Sequence, residues 1–134
     1  MDDIDKEILQ ILQENGRAPY TEIADAVGVS EGTVRNRIKQ LQEDGVIKNF
    51  TVTLSRSGAE AVVMVQLKTG IDIDSILTQF PSRITILEIT GQYDLLVRVE
   101  RDSTQEVNSL LDNIRRIDGV DNTETYMVLN RRTR

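Results

Sequence analysis

The sequence predicts an α+β protein in which a short helical unit is followed by a longer unit with the element order β-α-β-β-α-β. Three observations support this prediction. Up to about residue 45, apolar residues recur at the spacing of an amphipathic helix. Beyond that point, short runs of β-branched residues alternate with polar ones, which is typical of half-buried strands. An apolar helical stripe then returns between residues 103 and 117.

The N-terminal unit begins with two predicted helices. Asp2 or Asp3 caps the first helix, which ends near residues 15–16. Thr21 caps a short second helix, and Gly28 stops it. The apolar stripes of these helices are Ile4, Ile8, Leu9, Ile11 and Leu12, and Ile23, Ala24 and Val27.

A third helix completes this unit. Ser30 caps it, Gly45 closes it, and its apolar stripe is Val34, Ile38 and Leu41. A Gly-Val-Ser turn separates it from the second helix. Three compact helices with such a turn are typical of a helix-turn-helix domain, which we assign to residues 1–45.

The segment after the third helix changes character. Residues 46–54 are expected to form a strand that leaves the helical unit, and residues 55–58, Ser-Arg-Ser-Gly, a linker. We therefore divide the chain into a helix-turn-helix domain at 1–45, a strand and linker at 46–58, and a second domain at 59–134.

The second domain is predicted to consist of two β-α-β units joined through Gly91-Gln92. Its first helix begins at Asp72 or Asp74 and ends at Phe80, and its second runs over residues 103–117. Strands are expected at about 60–68, 84–90, 93–100 and 121–129. This order is typical of a ferredoxin-like sheet with both helices on one face. The two aspartates are interpreted as helix caps, with a metal site the less favoured alternative.

One face of this sheet is left uncovered by its own helices. In the strand at 94–100, Leu95, Val97 and Val99 alternate with a mixed set. A sheet-to-sheet contact between subunits has the candidates Leu96, Tyr126 or Met127, and Val128 or Leu129. The alternative, that these side chains only meet their own helices, stays open.

Composition excludes several functions. The 134 residues carry 16 Lys and Arg against 22 Asp and Glu, a formal charge of −6, and contain no His or Cys. An imidazole base, a thiolate nucleophile, a disulfide and a zinc site of the usual ligand type are therefore excluded. No phosphate-binding glycine loop or spaced ligand set indicates an enzyme. The N-terminus lacks a secretion signal and the longest apolar run is residues 61–65, so we expect a cytoplasmic protein.

The third helix carries the candidate nucleic-acid contacts. At 100° per residue, its outer side consists of Gly32, Asn36, Lys39 and Gln40, flanked by Thr33 and Arg35. The amides of Asn36 and Gln40 suit adenine, and Arg35 suits guanine or phosphate. Arg37 points toward the core edge, where it meets either a phosphate or an acid such as Glu22 or Asp25. Residues 33–40 hold three cations and no acid. An ordinary solvated helix face is the alternative.

These residues resemble a known family. The runs at 23–30, 34–41 and 44–47 resemble the helix-turn-helix of the Lrp/AsnC (leucine-responsive, feast/famine) transcriptional regulators. Residues 15–20 sit where that family links its first two helices. The second domain resembles the family's effector (RAM) domain, with Gly91-Gln92-Tyr93-Asp94 matching a Gly-x-Tyr-Asp hairpin and residues 119–125 matching the approach to the last strand.

The resemblance implies a sequence-specific DNA-binding regulator without a cofactor, whose partners are double-stranded DNA, an amino-acid effector and further copies of itself. It implies a dimer built through the effector sheets and the strand after the recognition helix, assembling further to an octamer. The implied DNA-binding residues are Ser30, Gly32, Thr33, Arg35, Asn36, Arg37, Lys39 and Gln40. The implied effector-binding residues are Gly91, Gln92, Tyr93, Asp94, Thr123, Glu124 and Thr125.

Three alternatives to this interpretation stay open. The Gly91–Asp94 segment can be a plain hairpin turn. The protein can be an architectural DNA-coating protein that ignores metabolites. The basic tail at 131–134 can touch DNA or a neighbouring subunit, or remain solvated.

Overall fold

A computed structural model describes residues 1–55 and 58–134. The chain divides into two compact units, of which the first ends at Ser55. Residues 56 and 57 of the predicted linker lie outside the described residues. None of the described helices is both long and apolar enough to span a lipid bilayer.

The first unit contains three helices: α1 (Asp3–Glu14), α2 (Tyr20–Val27) and α3 (Glu31–Glu43). Asp2 caps α1 in a capping box with Asp5, and the Ser30 side chain caps α3 by accepting the N–H of Thr33. Gly28 ends α2 in the left-handed region at φ 81°, a conformation that glycine adopts without steric cost. These three helix boundaries, two N-terminal and one C-terminal, follow the sequence prediction.

The predicted start of α2 is wrong. Thr21 lies inside the helix, which begins one residue earlier at Tyr20, and Pro19 occupies the N-cap position without a side-chain hydrogen bond. Proline has its φ fixed near the helical value, −62° here, so the helix starts directly after it without needing a hydroxyl cap.

The three helices of this unit enclose one small core. Its buried residues are Ile8, Ala18, Ile23, Ala24, Val34 and Ile38. Leu41 is also buried, so the predicted stripe of α3 is confirmed. On α1, Ile8 is fully buried, whereas the other apolar residues of its stripe are only half-buried.

The predicted strand at 46–54 does not form. These residues, all within the described chain, have no strand conformation. Phe50, Val52 and Leu54 are 50%, 73% and 62% exposed. A strand needs a neighbour to pair its N–H and C=O groups, and none of the strands in the described residues pairs with the segment.

The second unit has the predicted order, with β1 (Ala59–Leu67), α4 (Ile73–Leu77), β2 (Thr85–Glu88), β3 (Leu95–Arg101), α5 (Thr104–Arg115) and β4 (Val120–Met127). The strands form an antiparallel sheet in the order β2-β3-β1-β4. This arrangement confirms the ferredoxin-like prediction.

Both helices of this unit pack on one face of the sheet. Val63 of β1 and Val97 of β3 stand opposite each other there, and both are fully buried. Leu110 and Ile114 of α5 cover them, in a core that also contains Ile76 of α4. Fully burying each such side chain stabilises the fold by about 1.5–3 kcal/mol.

Helix α4 is shorter than predicted. It ends at Leu77, and Phe80 follows in a turn although its side chain is buried. Asp72 occupies the N-cap position but makes no capping hydrogen bond, and Asp74 lies in the first turn. Within the described residues, no group of three or more carboxylates is placed to hold a metal ion.

Candidate nucleic-acid interface and ligand site

Helix α3 presents a polar surface on the side away from its core stripe. Gly32, Asn36, Lys39 and Gln40 are all exposed, as the helical spacing predicts. This surface combines two side-chain amides and one ammonium group with a glycine at position 32. It therefore presents small groups and hydrogen-bonding groups. Such a surface fits the major groove of DNA.

Arg35 is held by two neighbours that sequence reasoning missed. Its guanidinium lies 3.3 Å from the Glu31 carboxylate, one turn earlier on the same helix. It also lies over the ring of Tyr20, 5.6 Å from the ring centre. The spacing of four residues between Glu31 and Arg35 is a sequence signal that could have identified the first contact.

Arg37 makes a structural ion pair within the helical unit. Its guanidinium lies 2.5 Å from the Asp2 carboxylate and 3.4 Å from that of Asp5, both on the N-terminal side of α1. The ion-pair alternative was therefore the right type of contact, but the predicted partners Glu22 and Asp25 were wrong. The Asp2 carboxyl accepts the backbone N–H of Asp5 and a hydrogen bond from Arg37, which lower its pKa to about 2.

The remaining side chains of this surface differ in whether they are already hydrogen-bonded. Gln40 donates to Asp44 at 2.9 Å, and the hydroxyls of Thr33 and Ser30 are hydrogen-bonded to each other at 2.9 Å. Within the described residues, Asn36 and Lys39 have no side-chain hydrogen bond or ion pair. The net positive charge is therefore smaller than residues 33–40 suggest, because acids outside that window pair with both arginines.

The predicted ligand hairpin is braced by Asp94. Its backbone N–H donates to the Val65 carbonyl at 2.9 Å, and its carboxylate accepts the Leu67 N–H at 2.7 Å. Asp94 therefore ties the β2–β3 hairpin to β1. Gly91 has φ 120° in this turn with open space around it, and Gln92 beside it is exposed.

A cluster of two tyrosines and one carboxylate lies next to this hairpin. The Tyr93 hydroxyl donates to Glu124 at 2.5 Å. Hydrogen bonds from Tyr126 and Tyr93 lower the pKa of Glu124, and the same bonds raise the pKa of each tyrosine. Glu124 is thus a stabilised anion in the tyrosine–glutamate cluster, defined here as Tyr93, Glu124 and Tyr126.

The other predicted ligand residues of β4 lie elsewhere. Thr123 and Thr125 stand opposite the buried Val65 and Val63 of β1, on the helix side of the sheet. Glu124 stands opposite Met64, on the open side. The structure therefore brings Glu124 together with the hairpin but places the two threonines on the other face.

The open face of the sheet carries an apolar patch. Leu87 and Tyr126 are 48% and 52% exposed, and Leu96 and Met64 beside them are half-buried. Leu96 pairs with Leu87 and Met64 in register, so these three share the open side. For Leu96 and Tyr126 the alternative of contact with their own helices is excluded. Met127 pairs with Ala61 and so belongs to the helix side, whereas Leu129 lies beyond β4 and is 98% exposed.

Charged residues border this patch. Arg131 of the C-terminal tail pairs with Glu60 at 2.5 Å and Glu100 at 3.0 Å, and Arg98 pairs with Glu60 at 3.1 Å. Burial alone would raise the pKa of Glu60, but hydrogen bonds from the two arginines outweigh it and lower the pKa. The start of the basic tail is therefore held by its own chain.

Comparison with known proteins assigns both units. Residues 1–42 match the AsnC-type helix-turn-helix domain, and residues 60–134 match the Lrp/AsnC ligand binding domain. The HTH-type transcriptional regulator FL11 of Pyrococcus furiosus is 37% identical over 135 residues, which covers 96% of this chain and 89% of FL11.

Solved structures have the same fold. E. coli AsnC superimposes with a TM-score of 0.82 at 27% identity, covering 100% of this chain and 95% of AsnC. The transcriptional regulator NMB0573 of Neisseria meningitidis, solved as a complex with L-Met, gives a TM-score of 0.82 at 25% identity. That match covers 100% of this chain and 93% of NMB0573.

Proposed function

This chain belongs to the Lrp/AsnC family of DNA-binding transcriptional regulators, and we propose that it recognises a specific DNA sequence as a homo-oligomer controlled by an amino-acid effector. It is a regulator and not an enzyme, since its relatives are transcriptional regulators. We assign DNA recognition to residues 1–45, and effector binding and oligomerisation to residues 59–134. We also propose a cytoplasmic location, which is consistent with a DNA-binding regulator.

The outer surface of α3 is the observation that carries this proposal. Asn36 and Lys39 are exposed and unpaired within the described chain, ready to meet a base edge and a phosphate. Gln40 can exchange its hydrogen bond with Asp44 for one with adenine. Ser30, Gly32, Thr33 and Arg35 border the same surface. Arg37 supports this surface by holding α3 to α1.

Two surfaces with exposed apolar side chains support dimerisation. The open sheet face exposes Leu87 and Tyr126 around Leu96, and the segment at 46–54 exposes a row of apolar side chains without a strand partner. A second copy would cover both. Two α3 helices in a dimer would enter successive major grooves, so the operator should be a rough palindrome with half-sites about 10 base pairs apart. Dimers would assemble further, to an octamer.

The effector site is proposed at the hairpin and the tyrosine–glutamate cluster. Glu124 is a stabilised carboxylate that can accept an ammonium group, and Gly91 leaves its backbone open to a carboxylate. The L-Met complex of NMB0573 supports an amino acid as the ligand class. We assign Asp94 to bracing the hairpin, with Gln92 and Tyr93 bordering the ligand and Thr123 and Thr125 behind it. An effector can regulate DNA binding only if it binds two states of the protein, which differ in their assembly or DNA affinity, with different affinities.

One experiment tests the proposal as a whole. Duplexes are selected from a random pool with the full chain, and the Kd of the selected duplex is compared with that of a scrambled one. The twenty amino acids are then screened by thermal shift, with light scattering to follow assembly. Discrimination between the duplexes together with a shift from at least one amino acid is expected. Equal affinity for both duplexes and no thermal shift would favour the architectural alternative instead.

A further inference from the structure

The Arg35 guanidinium contacts an acid on its own helix and an aromatic ring on α2. We propose that Glu31 and Tyr20 determine how Arg35 engages DNA, with Tyr20 positioning its guanidinium and Glu31 competing with DNA for it. This inference rests on the proposed function of α3. It concerns a positioning residue on α2 and a specificity-determining residue at the start of α3.

Tyr20 provides a platform for the guanidinium. It is the first residue of α2 and is half-buried against the core of the helical unit, so its ring is fixed by packing. The Arg35 guanidinium carbon lies 5.6 Å from the ring centre. Stacking on a ring face leaves the N–H donors at the edge of the guanidinium free for a bidentate acceptor. Tyr20 can therefore keep its contact while Arg35 meets a guanine or a phosphate.

Glu31 takes the place of that acceptor in the free protein. Its carboxylate lies 3.3 Å from Arg35, and the two side chains are 47% and 60% exposed. An exposed pair of this kind is weak and exchanges readily. A partner that replaces Glu31 must bind Arg35 beside the Glu31 carboxylate, whose negative charge repels phosphates.

This competition favours selective contact over general contact. Glu31 makes a single contact with Arg35, whereas the O6 and N7 atoms of guanine offer two aligned acceptors without a negative charge. A phosphate also offers two oxygens, but the Glu31 carboxylate repels its charge. The remaining cations of the surface lack this control, because Arg37 is bound to α1 and Lys39 has no acidic partner in the described chain. Glu31 thus lowers non-specific affinity at the α3 arginine whose guanidinium is placed to contact a base.

The test measures Kd for the selected and the scrambled duplex by fluorescence anisotropy at several salt concentrations. Glu31→Gln should tighten binding to the scrambled duplex about two- to fivefold and reduce the ratio between the duplexes. Glu7→Gln, at an exposed acid of α1, makes the same charge change and should leave the ratio unaltered. Tyr20→Leu should weaken binding to the selected duplex about two- to fivefold, whereas Tyr20→Phe should bind it as the wild type does.

The outcomes separate this inference from the function on which it rests. If the wild-type chain does not discriminate between the duplexes, the proposed function fails. If Arg35→Ala loses discrimination while Glu31→Gln behaves as Glu7→Gln does, the competition is overturned and the function stands. If Tyr20→Leu, folded by circular dichroism, binds as Tyr20→Phe does, the positioning role is overturned.

Discussion

The carboxylate of Asp2 lies 2.5 Å from the guanidinium of Arg37, so the cap of α1 and the side of α3 share one charged group. The same carboxylate accepts the N–H of Asp5 at 3.0 Å. An acid at the second residue of the chain therefore adds a charged contact between α1 and the candidate recognition helix.

Acid should loosen this connection within a defined pH range. The Asp5 N–H and the Arg37 guanidinium lower the pKa of Asp2 to about 2 from its ordinary 3.8. Because the folded pKa is the lower one, the stabilisation is fully present above about pH 4 and is lost as the pH falls toward 2. Hydrogen exchange of the α1 amides, measured across this range, should show increasing opening at low pH.

Asp2→Asn should abolish this part of the pH dependence and raise the exchange of α1 already at neutral pH. Asp3→Asn changes the same charge at the neighbouring exposed position and should retain the wild-type profile. Identical profiles for the two variants would contradict the assignment to Asp2.

The role of Arg37 can be separated from that of a phosphate contact. Arg37→Gln should destabilise the helical unit while leaving the slope of log Kd against log salt unaltered, because its charge is already paired with Asp2 and Asp5. Lys39→Gln should reduce that slope by about one, as expected for a lost phosphate contact. A reduced slope for Arg37→Gln would show that the arginine leaves its ion pair on DNA.

The amides of α3 should read bases, whereas Lys39 should contact only the DNA backbone. Asn36→Ala and Gln40→Ala should each relax sequence preference at one position, by about 1–3 kcal/mol for a bidentate contact. Lys39→Ala should weaken all sequences alike. Gel-shift titrations of point-mutated duplexes at several salt concentrations check this division, and equal losses for both classes of variant would disprove it.

The order of helices and strands was accessible from sequence because buried side chains repeat at the period of their element. The stripe of Val34, Ile38 and Leu41, and the alternation of Leu95, Val97 and Val99, are both buried as predicted. The segment at 46–54 shows an equally clear strand pattern but forms none. Periodicity describes one strand, whereas a strand also needs a hydrogen-bonding neighbour, and no strand within residues 1–55 and 58–134 provides one.

Contacts between distant residues were not accessible in the same way. The pairing of Arg37 with Asp2 joins positions 35 residues apart, and no spacing rule selects Asp2 over Glu22. The three consecutive ligand candidates Thr123, Glu124 and Thr125 were separated by the two-residue period of a strand. That period was visible in the sequence, but the face that meets the hairpin was not.

The open sheet face should hold the dimer together. Leu96→Glu introduces a charge at the centre of the apolar patch, opposite Leu87 and Met64. Burying an unpaired charge in an interface costs far more free energy than leaving it in water. The variant should therefore be monomeric by light scattering. Asn108→Glu, on the exposed side of α5, should remain oligomeric. An unchanged mass for Leu96→Glu would place the interface elsewhere.

Two carboxylates near the hairpin should respond differently to neutralisation. Asp94 accepts the Leu67 N–H at 2.7 Å, so Asp94→Asn should lower the free energy of unfolding by about 1–2 kcal/mol in denaturant titrations. Glu124 instead accepts a hydrogen bond from the Tyr93 hydroxyl and lies on the open side of the sheet. Glu124→Gln should therefore leave stability close to that of the wild type but remove the thermal shift produced by an amino acid, because the ammonium loses its counter-charge. Glu88→Gln, at an exposed acid of β2, serves as the charge-matched control and should keep the thermal shift. An amino-acid response that survives in Glu124→Gln but disappears in folded Asp94→Asn would reverse the two assignments.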